Sequence, residues 1–388
     1  MTWVPRKSLG AVGAAALLTL GVALDPHAST QAQTPASSGD VTIGASGDLL
    51  AHIRVVRAAA IHGWPHVLGD LSAFTHEEDI SFANLETPLS EERPVESGSP
   101  PILGAPAALA TALGAAGIDV LSVANNHAWD QWARGAQRTV EAVRAAQMGS
   151  IGAGPTMDDA FAAHVIESHG LRVAFLAITE RVNGGPGHSP PEALIARWDD
   201  DAVVAQAVER ARAGADLVVV SIHWSHDFWP EPNGAQERRA AFLVAHGADV
   251  ILGSGPHVLH RVSRLPSPRG DAICAYSLGN LLSNQGNRYR VGRRAAAGAH
   301  PATWLPTTRD GAWLRIPLHV DHGRITIRPM TAVPLFTANN FWAMERRETR
   351  DPDIRILRLS AQSEEALIAE RRDVIAQTLG PDVTLVER

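Results

Sequence analysis

Residues 120–130 read VLSVANNHAWD. Val120-Leu121-Ser122-Val123 is a short apolar, β-branched run, the signature of a buried strand. It stops at Ala124-Asn125-Asn126-His127, so two amides and an imidazole stand where a strand becomes a loop. In open α/β sheets, ligands bind in the crevice outside the carboxyl ends of the strands. Asn126, His127 and Asp130 offer an amide oxygen, a ring nitrogen and a carboxylate within five positions. These are the donor types that hold a divalent metal and a reacting oxyanion. Taken alone, the cluster also reads as a capped turn beside a packed histidine. It gains weight because the pattern recurs.

Upstream, residues 41–45 form an apolar run that meets Asp48, with His52 four positions on. Helix N-capping is the other role open to Asp48. Residues 80–83 lead into Asn84 and Glu86. Downstream, 217–222 is the clearest buried strand and ends at His223, with His226 and Asp227 following. The run 250–252 leads to His257 and His260, and the run 272–276 leads to Asn280. Six apolar runs thus end in polar residues. A metal needs oxygens and imidazoles from several directions at once, and converging strand ends supply them.

Helical periodicity is predicted over 132–148, 199–213 and 233–245, so strand and helix alternate as in an α/β fold. Hairpins are predicted around 168–170 and 321–323. Residues 286–311 form a long polar insertion carrying Arg288, Arg290, Arg293 and Arg294. The main domain is expected over 41–340, followed by an amphipathic helical tail over 341–388.

The chain has 388 residues, 45% of them hydrophobic, enough for a substantial core. A net charge of -7 and a pI near 6.2 argue against a general nucleic-acid binder. Arg6 and Lys7 precede an uncharged apolar run over 9–24, and small or polar residues follow. Residues 1–32 therefore read as a signal peptide or an uncleaved membrane anchor, and 33–40 as a flexible leader. Export to a periplasmic or extracellular location is expected, with membrane contact only through this segment. The single cysteine, Cys274, lies in an apolar run and is expected to be a buried small hydrophobe.

Taken in order, the set Gly47-Asp48-Leu49-Leu50, Phe82-Ala83-Asn84-Leu85-Glu86, Ala124-Asn125-Asn126-His127 with Asp130, His223-Trp224, Pro256-His257-Val258 and Tyr276-Ser277-Leu278-Gly279-Asn280 resembles the CapA family. These are poly-γ-glutamate capsule biosynthesis proteins of the calcineurin-like metallophosphatase superfamily. The resemblance spans residues 41–285 and implies a four-layer α/β/β/α sandwich holding one or two divalent metal ions (Mn, Fe or Zn). It further implies that Asp48, Glu86, Asn126, His223 and His257 are metal ligands. By the same resemblance His127 assists the leaving group or stabilises the transition state, and Asp130 reads as the group that orients it.

The chain departs from the family pattern at Ser254 and Gly255, where relatives keep a histidine. His52, His226 and His260 are candidate substitutes, and Asn84, Asn125 and Asp227 are candidates for direct or supporting contacts to the metal. Asn280, Arg288, Arg290, Arg293 and Arg294 are candidate substrate contacts, the arginines because guanidinium pairs bidentately with carboxylate. A solvated surface loop is the plainer reading of those arginines. Trp129, Trp132, Trp224 and Trp229 adjoin the motifs and could wall a pocket or pack the core. Three functions remain open: capsule-polymer synthesis or export at an anionic polymer with membrane machinery, a metal-dependent phosphoesterase or amidase, and a degenerate scaffold that binds an anionic polymer.

Overall fold

Four stretches are described by the computed structural model, residues 38–184, 194–295, 297–360 and 363–387. The expected signal segment (1–32) and most of the leader lie outside them. The first strand, β1 (Gly39–Leu49), begins inside the expected leader. Three strands follow it in parallel, β2 (Ile80–Asn84), β3 (Val120–Ser122) and β4 (Gly149–Ile151). After β5 (Ala153–Gly154), β6 (His164–Ser168) and β7 (Leu171–Thr179) form the expected hairpin. The short β8 (Leu194–Ile195) pairs with β5. A second sheet is then built from β9 (Leu217–His223), β10 (Val250–Ser254), β11 (Val262–Ser267) and β12 (Gly270–Ala275), in the order β11-β12-β10-β9-β7-β6. The chain returns to the first sheet with β13 (Asn280–Leu282), β14 (Asp310–Asp321), β15 (Arg324–Ile327), β16 (Met330–Asn339), β17 (Ile354–Arg358) and β18 (Val383–Leu385). That sheet runs β17-β16-β14-β1-β2-β3-β4, with β13 beside β1, β15 beside β14 and β18 beside β16.

The layering follows from alternation along the strands. In β7, Val173, Phe175 and Ala177 join the large core between the sheets, while Ala174, Leu176 and Ile178 face a second core. In β9, Leu217 and Val219 point inward, and Val218, Val220 and Ile222 outward. Both faces are buried, which is why these strands read as continuous apolar runs. Phe82 of one sheet stacks on Phe175 of the other, ring centroids 6.4 Å apart. The outer face of the second sheet is covered by helices Asp201–Gly214 and Gly234–Ala245 through Val204, Val208, Ala240 and Leu243. Helices Ile53–His62, Ala108–Ala115 and Trp132–Ala145 supply buried residues to the larger core beside the first sheet. The order of layers is α/β/β/α.

Two expectations about the chain's course change. Asn280 does not end β12; it opens β13, which lies on β1 with Asn280 opposite Asp48. Residues 276–279 cross between the sheets, and a Cβ at Gly47 would overlap the carbonyl of Gly279, so only glycine permits that approach. The segment beyond residue 340 is not simply helical. One long helix, Glu365–Leu379, is present, but β17 and β18 both pair with β16. The Ile354-Arg355-Ile356 alternation of buried and exposed residues is a strand signal in a stretch dominated by charge.

Candidate metal centre

The carboxyl ends of the parallel strands meet where the two sheets face each other. In the first sheet the register places Asn84 beside Asp48 and Ser122. In the second it places His223 beside Ser254 and Thr179. Asp48, Glu86 and His257 each bring one ligand atom within 4.8 Å of the others. Asp48 and Glu86 have no solvent exposure, and His257 has 3%.

Asp48 is fully committed. Its Oδ1 accepts from Asn84 Nδ2 at 2.8 Å, and its Oδ2 accepts from the Gly255 amide at 3.0 Å. His257 Nδ1 lies 3.1 Å from the same Oδ2. Burial acts to raise this carboxyl, but the hydrogen bond and charge of His257, with His223 and Asn84, hold it below the ordinary aspartate range. Glu86 is the opposite case. Neither of its carboxylate oxygens has a hydrogen-bond partner. Three imidazoles lie close to it: His223 Nε2 at 3.7 Å, His257 Nδ1 at 3.7 Å and His127 Nε2 at 3.9 Å. Burial, and then the charge of Asp48, push Glu86 well above the ordinary glutamate range. A buried carboxylate is expected to be paired or to coordinate a metal. Two bare oxygens ringed by imidazoles and a second carboxylate make a donor set that fits a divalent cation.

His223 Nδ1 is 3.2 Å from Asn84 Nδ2 and 3.1 Å from Ser254 Oγ, which leaves Nε2 facing Glu86. Burial lowers its pKa to about 3, so the ring is neutral, the form that ligates metals. His257 adopts φ 60°, a left-handed conformation uncommon for a residue with a side chain. Asn126 Oδ1 is buried and unpartnered.

His127 Nδ1 donates to Asp130 Oδ2 at 2.6 Å, and that oxygen also accepts the Leu103 amide at 2.7 Å. Asn125 supports the turn. Its Oδ1 accepts the His127 amide at 3.2 Å, and its Nδ2 donates to the Leu85 carbonyl. Asp130 therefore holds the ring, and Nε2 is left facing the cluster. Asn126, His127 and His257 form the floor of a cavity of about 500 Å³.

Other expected residues sit elsewhere in the arrangement. His52 lines the cavity and accepts the Asn284 amide at 3.3 Å. His260 is tied to the Trp229 carbonyl at 2.8 Å. His226 packs its edge on Trp229, ring centroids 6.3 Å apart. None of these three joins the Asp48, Glu86 and His257 group among the described residues. Asp227 pairs with Arg181, Nη2 to Oδ1 at 2.9 Å, beside the cavity.

Asn280 is not among the residues lining the cavity; its Nδ2 lies within hydrogen-bond reach of the Thr308 carbonyl, Gln285 Oε1 and the His257 carbonyl. It braces the strained His257 segment. Of the four loop arginines only Arg288 lines the cavity; Arg290, Arg293 and Arg294 are exposed elsewhere. None of the four tryptophans lines it among the described residues, and Trp224 is fully buried with Nε1 donating to the Tyr276 carbonyl. Arg181 and Arg54 were missed by motif reading, yet both line the cavity. Arg181 stands just beyond the end of β7, a strand end passed over because its strand belongs to a hairpin.

Gly255, one of the two places where the family resemblance leads one to expect a histidine, has no room for a side chain. Gly255 has φ 98°, and a Cβ there would overlap the Trp224 carbonyl. Its backbone N–H, rather than a side chain, reaches Asp48.

The family model described as "Bacterial capsule synthesis protein PGA_cap" matches residues 42–285. Over 291 residues the chain is 28% identical to "Capsule biosynthesis protein CapA" of Bacillus anthracis, covering 74% of this chain and 65% of that protein. Over 170 residues it is 31% identical to "PGA biosynthesis protein CapA" of Bacillus subtilis (strain 168), covering 43% of each. The chain thus spans less than two thirds of the length of the curated relatives it matches. Among solved structures, the calcineurin-like phosphoesterase YfkN from Bacillus subtilis aligns over 88% of this chain and 98% of its own, with 12% identity and a TM-score of 0.41. With the family model covering well over half of its length, the chain belongs to the bacterial capsule synthesis protein family PGA_cap.

Proposed function

We propose that the chain is a metal-dependent hydrolase acting on an anionic chain substrate during capsule-polymer synthesis or export. The observation that carries this reading is Glu86, a fully buried carboxylate with both oxygens unpartnered, between Asp48 and three imidazoles. Asp48, Glu86 and His257 would hold one divalent ion (Mn, Fe or Zn), with His223 and Asn126 adjoining. Bound there, the ion would supply a Lewis acid beside a phosphoryl or acyl oxygen. A single ion is favoured over two because Gly255 and Ser254 offer a backbone amide and a hydroxyl where relatives offer imidazole. His127 Nε2 delivers the proton to the leaving oxygen or nitrogen, while Asp130 fixes the ring and stabilises its charged form.

The polymer role is supported by the two Bacillus relatives, which are named for capsule and PGA biosynthesis. Placement outside the cytoplasm is supported by the charged-then-apolar N-terminal sequence. Among the described residues no helix is long and apolar enough to cross a membrane. The test is hydrolysis of bis(p-nitrophenyl) phosphate and of a γ-glutamyl anilide, with and without added Mn²⁺, by wild type and H127A. Mn²⁺-dependent turnover that H127A abolishes while keeping its melting temperature is expected. Undiminished turnover in H127A removes the assigned role. No turnover of either probe leaves the scaffold reading, which the missing imidazole favours.

A further inference from the structure

Gln131 directly follows Asp130 in sequence, and its side chain has no solvent exposure. Its Oε1 accepts the Arg93 amide at 2.8 Å, and its Nε2 donates to the Leu103 carbonyl at 2.9 Å. One side-chain amide thus holds both stems of the loop 93–103. Between the stems, Glu96 and Ile102 exchange backbone hydrogen bonds of 3.1 and 3.0 Å, which makes the loop a small hairpin. Its tip, residues 97–101, lines the cavity whose floor is Asn126, His127 and His257.

Further tethers come from the same short segment. The Leu103 amide donates to Asp130 Oδ2 at 2.7 Å, the oxygen that also accepts from His127 Nδ1. Glu92 pairs with Arg138, and the Arg93 guanidinium carbon lies 5.5 Å from the ring centroid of Trp132. Trp132 is held at φ 57°, a strained conformation that persists only where the surroundings fix it. Space for the Gln131 side chain is kept by two glycines. A Cβ at Gly104 would come 2.8 Å from Gln131 Nε2, and one at Gly135 would overlap Gln131 Cβ. Residues 96–100 are exposed, so this tip keeps its place through its stems rather than through core packing.

We propose that the loop 93–103 is the wall of the cavity on the leaving-group side, and that Gln131 is the positioning residue that sets this wall against His127. This rests on the hydrolase reading, in which His127 Nε2 serves the leaving atom. Asp130 Oδ2 fixes the imidazole and the Leu103 stem together, so the group beyond the leaving atom meets the tip. The wall makes the loop a determinant of which leaving groups are accepted.

The test compares the Mn²⁺-loaded full chain with Gln131→Met, which removes both loop bonds while filling similar space. Bis(p-nitrophenyl) phosphate and methyl p-nitrophenyl phosphate share a leaving group and differ in the group retained. γ-Glutamyl p-nitroanilide and glutaryl p-nitroanilide form the matching pair for an amidase. Within the pair that turns over, Gln131→Met should raise KM about tenfold for both members and change kcat less than about twofold, because His127 keeps Asp130. Replacing residues 97–101 by two glycines leaves Gln131 and its partners in place, should raise KM alike, and keeps the wall testable if Gln131→Met fails to fold. Unchanged KM, a fall in kcat with KM held, or a rise confined to one member of the pair each overturns the leaving-group wall. Hydrogen exchange needs no turnover. The Ile102 and Leu103 amides bond to the Glu96 carbonyl and to Asp130, not to Gln131, so faster exchange there reports release of the loop. It should quicken about tenfold in Gln131→Met, and unchanged exchange overturns the positioning role. If wild type hydrolyses neither pair while exchange quickens, the hydrolase reading fails and takes the leaving-group assignment with it, whereas the hold of Gln131 on the loop stands.

Discussion

Replacing Glu86 by glutamine should change stability with opposite sign in the metal-free and metal-loaded protein. Without metal, Glu86 is fully buried with two bare oxygens. An uncompensated buried charge costs roughly 3–5 kcal/mol, unless the group takes up a proton instead. Its strongly raised pKa, caused first by burial and then by Asp48, places it in that second regime. Native Glu86 then keeps a proton that the unfolded chain has released. The stability of the metal-free protein should therefore fall as pH rises above the unfolded glutamate value of about 4.3, by about 1.4 kcal/mol per unit, until the folded value is passed. E86Q has no such proton to lose. At pH 8 in EDTA it should be more stable than wild type by roughly 1–3 kcal/mol, discounted because its amide also needs acceptors. With metal at a hundred times its Kd, wild type should gain about 2.7 kcal/mol and E86Q little. Urea unfolding at pH 5, 7 and 8, with EDTA and with Mn²⁺, reads both differences. E86Q less stable than wild type in EDTA at pH 8, or equal gains from metal in both proteins, would rule out a buried Glu86 that is protonated without metal and ionised with it.

Three other perturbations test neighbouring links. D130N removes the acceptor that holds His127 Nδ1, so turnover should fall about a hundredfold with little change in KM; a loss below threefold in steady-state kinetics contradicts the positioning role. G255A must place a Cβ at φ 98° against the Trp224 carbonyl, costing roughly 2–4 kcal/mol and weakening metal affinity by shifting the amide bound to Asp48; a loss under about 0.5 kcal/mol in urea unfolding contradicts it. His223 titrates near 3 in the folded state because it is buried, below its unfolded value of about 6.5. Metal-free protein should therefore lose stability through this group as pH falls below about 6.5, by about 1.4 kcal/mol per unit, and H223N should flatten that slope in acid-unfolding curves.

Much of the site was legible because parallel strands buried on both faces are nearly pure apolar runs, and their ends are abrupt. Asp48, Glu86, Asn126, His127, His223 and His257 each stand within a few positions of such an end. What pairing does across the sheets was not legible. Asn280 looked like a strand end, yet the chain had already crossed to the other sheet. Gly255 looked like a lost ligand, but its backbone N–H binds Asp48, and backbone donors leave no mark in residue type. The loop arginines looked alike by composition, but only Arg288 faces the cavity. Arg54 and Phe341 are separated by most of the chain and meet only because the tail folds back along β16. The tail's strands were missed because both are short, the first interleaved with arginines and the second only three residues long.

A divalent metal held by Asp48, Glu86 and His257 underlies the predictions above. Its most direct test is metal content per chain after purification without chelator, with the ion located by anomalous diffraction. One equivalent lying among these three residues, and lost in D48N, is the expected result. Metal-free protein that takes up no Mn²⁺, Fe²⁺ or Zn²⁺ and whose melting temperature is indifferent to EDTA would contradict the account.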